Sequence, residues 1–71
     1  MDRFAKNLAY ARKKAGLSKK QLADKIFAAP MSVTKWEKGA VYPHVTTLIL
    51  ISDLLGVSID DLVKGELWNT T

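Results

Sequence analysis

Leu17-Ser18-Lys19-Lys20-Gln21-Leu22-Ala23-Asp24-Lys25-Ile26-Phe27-Ala28-Ala29-Pro30-Met31-Ser32-Val33-Thr34-Lys35-Trp36-Glu37-Lys38-Gly39 decides how the rest of this chain is read. The segment spells helix, tight connection, helix. Ser18 is placed to cap the first helix, and Gln21 three residues on completes a capping box. Leu17 before the cap and Leu22 at the fourth helical position form a hydrophobic staple. Leu22, Ala23 and Ile26 then give that helix an apolar stripe, and its expected span is 19–27. The second helix has Pro30 just inside its start and Gly39 just past its end, the usual asymmetry of helix termini. Ala29, extended because a proline follows, takes the N-cap position but has no capping oxygen, an omission that costs about 1 kcal/mol. Val33 and Trp36, three apart, face inward. Met31, Thr34, Lys35 and Lys38 follow i, i+3, i+4, i+7 along another stripe, so an outward face is offered to a partner.

Upstream, a helix over residues 2–15 is expected, with Phe4, Leu8 and Ala11 toward the core and Ala15 below them. Arg12-Lys13-Lys14 suit the negative end of its dipole, and Gly16 stops it. Downstream of a short loop, Ala40-Val41-Tyr42-Pro43, a fourth helix runs from Val45 to Leu55 and stops at Gly56. Leu48, Ile51, Leu54 and Leu55 make its inward stripe, which leaves Leu50 off the stripe and Ile49 on its edge. Ser58 caps a short fifth helix with Asp61 at its third position, and Ile59, Leu62 and Val63 supply its apolar side. Strands, repeats and low-complexity segments are not indicated. The fold class is therefore all-α, a compact bundle of five short helices over residues 1–65. Leu67 and Trp68 give the tail, 66–71, apolar weight that calls for packing on the domain or on a second subunit.

Composition bounds the function. Seventy-one residues make one domain near the lower size at which a core suffices without staples. Without cysteine there are no disulfides or thiolate metal sites, and one histidine builds no metal centre, so no cofactor is expected. The longest apolar run, Leu48-Ile49-Leu50-Ile51, is far short of a membrane span, and the start lacks a secretory leader; a cytoplasmic location is expected. The net charge of +4 is unevenly spread. Residues 1–40 hold ten of the eleven Lys and Arg with three acids, giving +7, and residues 41–71 come to −3. Such asymmetry suits a polyanion on one side and another partner on the other, or simply a solvated surface with uneven lysines. Ser18, Lys19 and Lys20 at a helix start read equally as an ordinary cap or as an anion clamp.

With these residues in hand, the chain resembles the lambda-repressor-like, Cro/repressor-type helix-turn-helix domains, the XRE family. The resemblance covers Leu8 to Val63 without a gap. It rests on Arg12-x-x-x-Gly16-Leu17-Ser18, Leu22-Ala23-Asp24-Lys25-Ile26, Val33-x-x-Trp36-Glu37-x-Gly39, Pro43, Leu48 and Leu54-Leu55-Gly56-Val57-Ser58-x-x-x-Leu62. It implies sequence-specific binding of double-stranded DNA, as a homodimer repressing at two-fold operators, with the helix from Pro30 in the major groove. The base-reading positions would be Pro30, Met31 and Lys35, with Ser32 and Thr34 as short polar readers. Lys35 can donate to guanine O6 and N7, whereas Met31 makes only apolar contacts, for instance with a thymine methyl. Phosphates would be held by Ser18, Lys19, Lys20, Lys38, Tyr42 and His44. Arg12 and Glu37 stand where the family places a structural salt bridge, and Trp36 reads as a core wedge. The chain departs from the pattern in three places. Phe27 occupies a turn position usually held by glycine, so either the turn changes or burial offsets the strain. Pro30 and Met31 thin the hydrogen-bond code. Ala40 and Val41 replace basic loop residues.

Two function classes remain, and an enzyme is not among them, since no converging carboxylates, nucleophile or phosphate-cradling glycine loop are present. The first is a DNA-binding transcriptional regulator. The second is an antitoxin-like or adaptor subunit that keeps the fold and takes a protein partner on the acidic C-terminal half. The expected dimer surface lies on the fifth helix and tail, at Leu62, Val63, Leu67 and Trp68.

Overall fold

The computed structural model describes residues 3–69, and every regular element among them is a helix. The order is α1 (Arg3–Lys14), α2 (Lys19–Lys25), α3 (Pro30–Glu37), α4 (Val45–Leu55) and α5 (Ile59–Lys64). None of these is long and apolar enough to cross a membrane. The helix start expected at Asp2 and the tail end, Thr70–Thr71, lie outside the described residues. Local signals act as the sequence implies. Ser18 Oγ accepts from the Gln21 amide at 3.0 Å while Gln21 Oε1 accepts from the Ser18 amide at 2.8 Å, so both halves of the capping box form. Ser58 Oγ accepts from the Asp61 amide at 3.0 Å. Ala29 is extended and contributes no capping bond, and Pro30 opens α3. Gly16, Gly39 and Gly56 follow α1, α3 and α4 with positive φ.

α1 packs against both α3 and α5, α2 against α3, and α4 against α5. The core they enclose is Phe4, Leu8, Leu22, Ala23, Ile26, Val33, Trp36, Ile51 and Leu62, with Leu17, Leu48, Leu55, Val57 and Leu67 packed around it. Each fully buried leucine or isoleucine here stabilises the fold by about 1.5–3 kcal/mol relative to its exposed state. Leu17 and Leu22 thus anchor α2 at its start, and Val33 and Trp36 set which side of α3 faces out.

Four expectations need correction. Ala15 is exposed, because α1 ends at Lys14 and the chain turns away through Gly16. Leu54 is exposed rather than inward; α4 is apolar on nearly every side, so periodicity alone does not select its buried face. Leu62 is 0 % exposed and belongs to the core, which removes it from any subunit interface. Phe27 keeps the left-handed backbone, φ 61°, and yet is 89 % exposed. The turn has not changed, and no burial offsets it. That conformation ends α2 at Lys25 instead of Phe27. A left-handed residue other than glycine or asparagine costs roughly 1–2 kcal/mol. Phe27→Asn is therefore expected to stabilise the domain by about 0.5–1 kcal/mol, measured as a rise in urea midpoint with an unchanged slope.

The tail is fastened from within. Asn7, on the inner side of α1, is fully buried. Its Nδ2 donates to the carbonyls of Leu62 at 2.8 Å, Gly65 at 3.0 Å and Asp61 at 3.1 Å. Its Oδ1 accepts from the Leu67 amide at 2.8 Å. One amide thus satisfies the carbonyl end of α5 and ties the following segment to α1. A Cβ on Gly65 would lie 2.5 Å from the Asp61 carbonyl oxygen, so only glycine lets the chain double back this tightly. Arg3 donates to the Lys64 carbonyl at 2.9 Å, and the Lys6 ammonium sits 5.2 Å from the Trp68 ring centroid. Leu67 and Trp68 therefore pack on their own domain. Asn7→Ala strands several buried backbone groups at once and is expected to cost about 2–3 kcal/mol. In a domain this small that lowers the melting temperature by roughly 10–20 °C, read by circular dichroism.

Candidate nucleic-acid interface

The outer side of α3 is oriented by what its inner side buries. Val33 and Trp36 are locked into the core, which turns Met31, Lys35 and Lys38 to solvent. Ser32 and Thr34 are half-buried on the flanks, and Pro30 is exposed at the leading end. The ion pair on the inner side fixes the helix further. Arg12 Nε meets Glu37 Oε2 at 2.6 Å and Arg12 Nη2 meets Oε1 at 3.1 Å, a two-pronged contact between α1 and α3. The side chains are only 9 % and 8 % exposed, and Arg12 Nη1 also donates to the Leu17 carbonyl at 2.9 Å. Arg12 and Glu37 thus join three pieces: the end of α1, the entry to α2, and α3.

The other expected contacts flank this face. At the start of α2, the Ser18 hydroxyl and Gln21 side chain are occupied by the capping box. Lys19 is half-buried, and Lys20 is exposed, with its ammonium 3.2 Å from Asp24 in a solvated i,i+4 pair. Such a pair is weak enough that another anion can compete for the lysine. Beyond α3, Tyr42 is exposed with its ring tilted against Phe4 at 5.7 Å, and His44 stands at the N-cap of α4 without a side-chain capping bond. Lys38 closes α3 between these two groups in sequence.

Elsewhere the surface is of another kind. Val45, Ile49, Leu50 and Leu54 line the solvent side of α4, and Val63 of the adjoining α5 is exposed as well. Of the four residues expected at a dimer surface, Leu62 is buried, while Leu67 and Trp68 are half-buried against their own domain; Val63 alone is exposed. The apolar α4 side is only partly legible in the sequence, through Leu50 and Ile49. A shallow groove of about 280 Å³ lies behind α1, between Tyr10, Lys14, Leu55, Val57 and Leu67, remote in sequence from the α3 face.

Two short helices joined by a tight turn, the second held rigidly and presented outward, define a helix-turn-helix class of domain. The helix-turn-helix family model matches residues 8–62, and the chain belongs to that family in its lambda-repressor-like form. It is 41 % identical over 63 residues to the uncharacterized HTH-type transcriptional regulator YqaE of Bacillus subtilis (strain 168), spanning 89 % of this chain and 54 % of that protein. It is 35 % identical over 63 residues to the HTH-type transcriptional activator BcrR of Enterococcus faecalis, again 89 % of this chain but 31 % of that one. The chain thus spans about half or less of these relatives. Among solved structures, the DNA-binding domain of the P22 c2 repressor superposes with a TM-score of 0.84 at 25 % identity, covering 96 % of this chain and 90 % of that one.

Proposed function

We propose that this chain is a sequence-specific, double-stranded DNA-binding transcriptional regulator, acting as a repressor on two-fold operators as a homodimer. The observation that carries the reading is the outward face of α3, where Met31, Lys35 and Lys38 stand clear of a core that holds Val33 and Trp36. A helix lodged in the major groove can reach base edges, and the lysines give it both a guanine reader and phosphate contacts. Ser18, Lys19, Lys20, Tyr42 and His44 supply the remaining backbone contacts in this reading. The names of similar proteins support regulation but divide on its sign, since one relative is called an activator and one solved structure is of a repressor's DNA-binding domain.

Size supports the homodimer in this reading. The domain measures 32 Å along its longest axis, so one copy presents one recognition helix, whereas half-sites lie about 34 Å apart. Two copies side by side fit that spacing. The apolar side of α4 with Val63 is the surface this reading assigns to the second copy. The same surface favours the alternative, an antitoxin-like or adaptor subunit with a protein partner on this half. Selection of bound duplexes from a random pool tests the proposal. Inverted repeats with centres one helical turn apart are the expected outcome; a pool with no enriched sequence contradicts it.

A further inference from the structure

The groove behind α1 is built from three separate stretches of chain. Tyr10, Lys14 and Ala15 form one wall, Leu55 and Val57 a second, and Leu67 the third. Each wall is held from behind. Ser52 Oγ donates to the Val57 carbonyl at 2.6 Å, and the Gly56 and Val57 amides donate to the Ser52 carbonyl at 2.9 and 3.2 Å. The Leu67 amide donates to Asn7 Oδ1 at 2.8 Å. On the α1 side, the carbonyls of Ala11, Arg12 and Lys13 accept from the amides of Ala15, Leu17 and Gly16. The groove is thus preformed, as small-molecule sites usually are.

Its chemistry is one-sided. The lining side chains are apolar except for the Tyr10 phenol and the Lys14 ammonium, which lies 5.8 Å from the Tyr10 ring centroid. Among the described residues no carboxylate pairs with Lys14, and Lys13 is exposed beside it. The rim therefore carries positive charge with no internal counter-ion. Size narrows the occupant further. The groove holds about 280 Å³. An apolar cavity of about 150 Å³ already takes benzene, so a body of two fused rings fits here. The exposed Phe27 of a second copy is a poorer occupant, since it arrives with Lys25 two residues away, a positive charge beside positive ones. We propose that the groove binds a small aromatic carboxylate, with its rings against Tyr10, Leu55, Val57 and Leu67 and its carboxylate at the Lys14 ammonium. An offset or tilted contact with the Tyr10 ring favours an aromatic over an aliphatic body. This site is independent of the DNA-binding reading, and its test uses no DNA.

The probes are 1-naphthylacetate and its uncharged counterpart, 1-naphthylacetamide, each titrated into the isotopically labelled domain while backbone amides are followed by NMR. For a ligand of this size a dissociation constant of about a millimolar is expected for the acetate. Shifts are expected at Ala11, Lys14, Ala15, Leu55, Val57 and Leu67. The acetamide is expected to bind about two- to fivefold more weakly, the measure of an exposed ion pair. Lys14→Gln is expected to bind the two probes alike. Ala15→Trp, which fills the groove from an exposed position, is expected to bind neither. Leu50→Lys, on the apolar side of α4, is expected to leave both titrations unchanged. Melting temperatures within a few degrees of the unaltered domain show that folded variants are being compared. Equal binding of the two probes by the unaltered domain, a comparison that needs no variant, overturns the ligand class. Shifts confined to α4 and abolished by Leu50→Lys overturn the site, as does binding that survives Ala15→Trp. Movement of the same amides on simple dilution assigns the groove to a second copy and overturns the proposal. So does a spectrum unmoved by either probe up to its solubility limit.

Discussion

Lys35→Glu is expected to lower affinity for the selected operator by more than two orders of magnitude while moving the melting temperature by no more than a few degrees. Lys35 is exposed on α3, so its loss costs the fold little. A lysine on guanine O6 and N7 contributes about 1–3 kcal/mol of discrimination, and the new carboxylate adds repulsion from the phosphates. Lys35→Ala removes the contact without the repulsion and falls between, at roughly ten- to a hundredfold. The measurement is a pair of binding isotherms over a range of salt. The slope of affinity against salt should also flatten by about 1 where a phosphate contact is lost. The same variant separates the two functional readings, since a protein complex formed through the α4 side is indifferent to a charge on α3.

The Arg12–Glu37 pair carries the second large effect. Both side chains are nearly buried, and removing one partner leaves an uncompensated charge, which costs about 3–5 kcal/mol. A domain of this size has total stability of order 4–10 kcal/mol. Arg12→Ala is therefore expected to consume much of that margin, and to free the Leu17 carbonyl that Arg12 now satisfies. The double variant Arg12→Met, Glu37→Leu is expected to recover most of the loss, because a buried ion pair often stabilises no more than apolar groups of equal volume. What the double variant should not recover is orientation. The two-pronged contact fixes α3 against α1 at one angle, and a methionine–leucine contact does not. Urea midpoints near wild type, together with operator affinity at least tenfold weaker, are the expected combination. Full affinity in the double variant would show the pair to be dispensable for presentation of the helix.

These effects are legible in the sequence to the extent that their causes lie close together along the chain. Capping at Ser18 and Ser58, the stop signals at Gly16, Gly39 and Gly56, and Pro30 at the start of α3 each act within about four residues. The inward pair Val33 and Trp36 follows from spacing alone, and with it the outward face. Arg12 and Glu37 are legible through the family resemblance, not through any local rule. Asn7 is not legible. A polar side chain on an apolar stripe announces nothing, and its four partners lie 54 to 60 residues further on. α4 misleads in another way: Val45-Thr46-Thr47-Leu48-Ile49-Leu50-Ile51 has too little polar contrast to mark an inside, so periodicity points Leu54 inward although it is exposed. Leu62 reads as surface beside its neighbour Val63; the packing of α5 on α1 takes one and leaves the other. Phe27 defeats the rule that strain is offset by burial, since it is both strained and exposed.

The sharpest single test is to titrate an operator duplex into the isotopically labelled domain and follow the backbone amides by NMR. With α3 in the groove, shifts are predicted to concentrate at Met31 to Lys35, Lys38, the start of α2 at Ser18 to Lys20, and Tyr42 with His44. Amides of α3 that stay still while those of α4 and α5 move, or a spectrum unmoved by any duplex at low ionic strength, would contradict it.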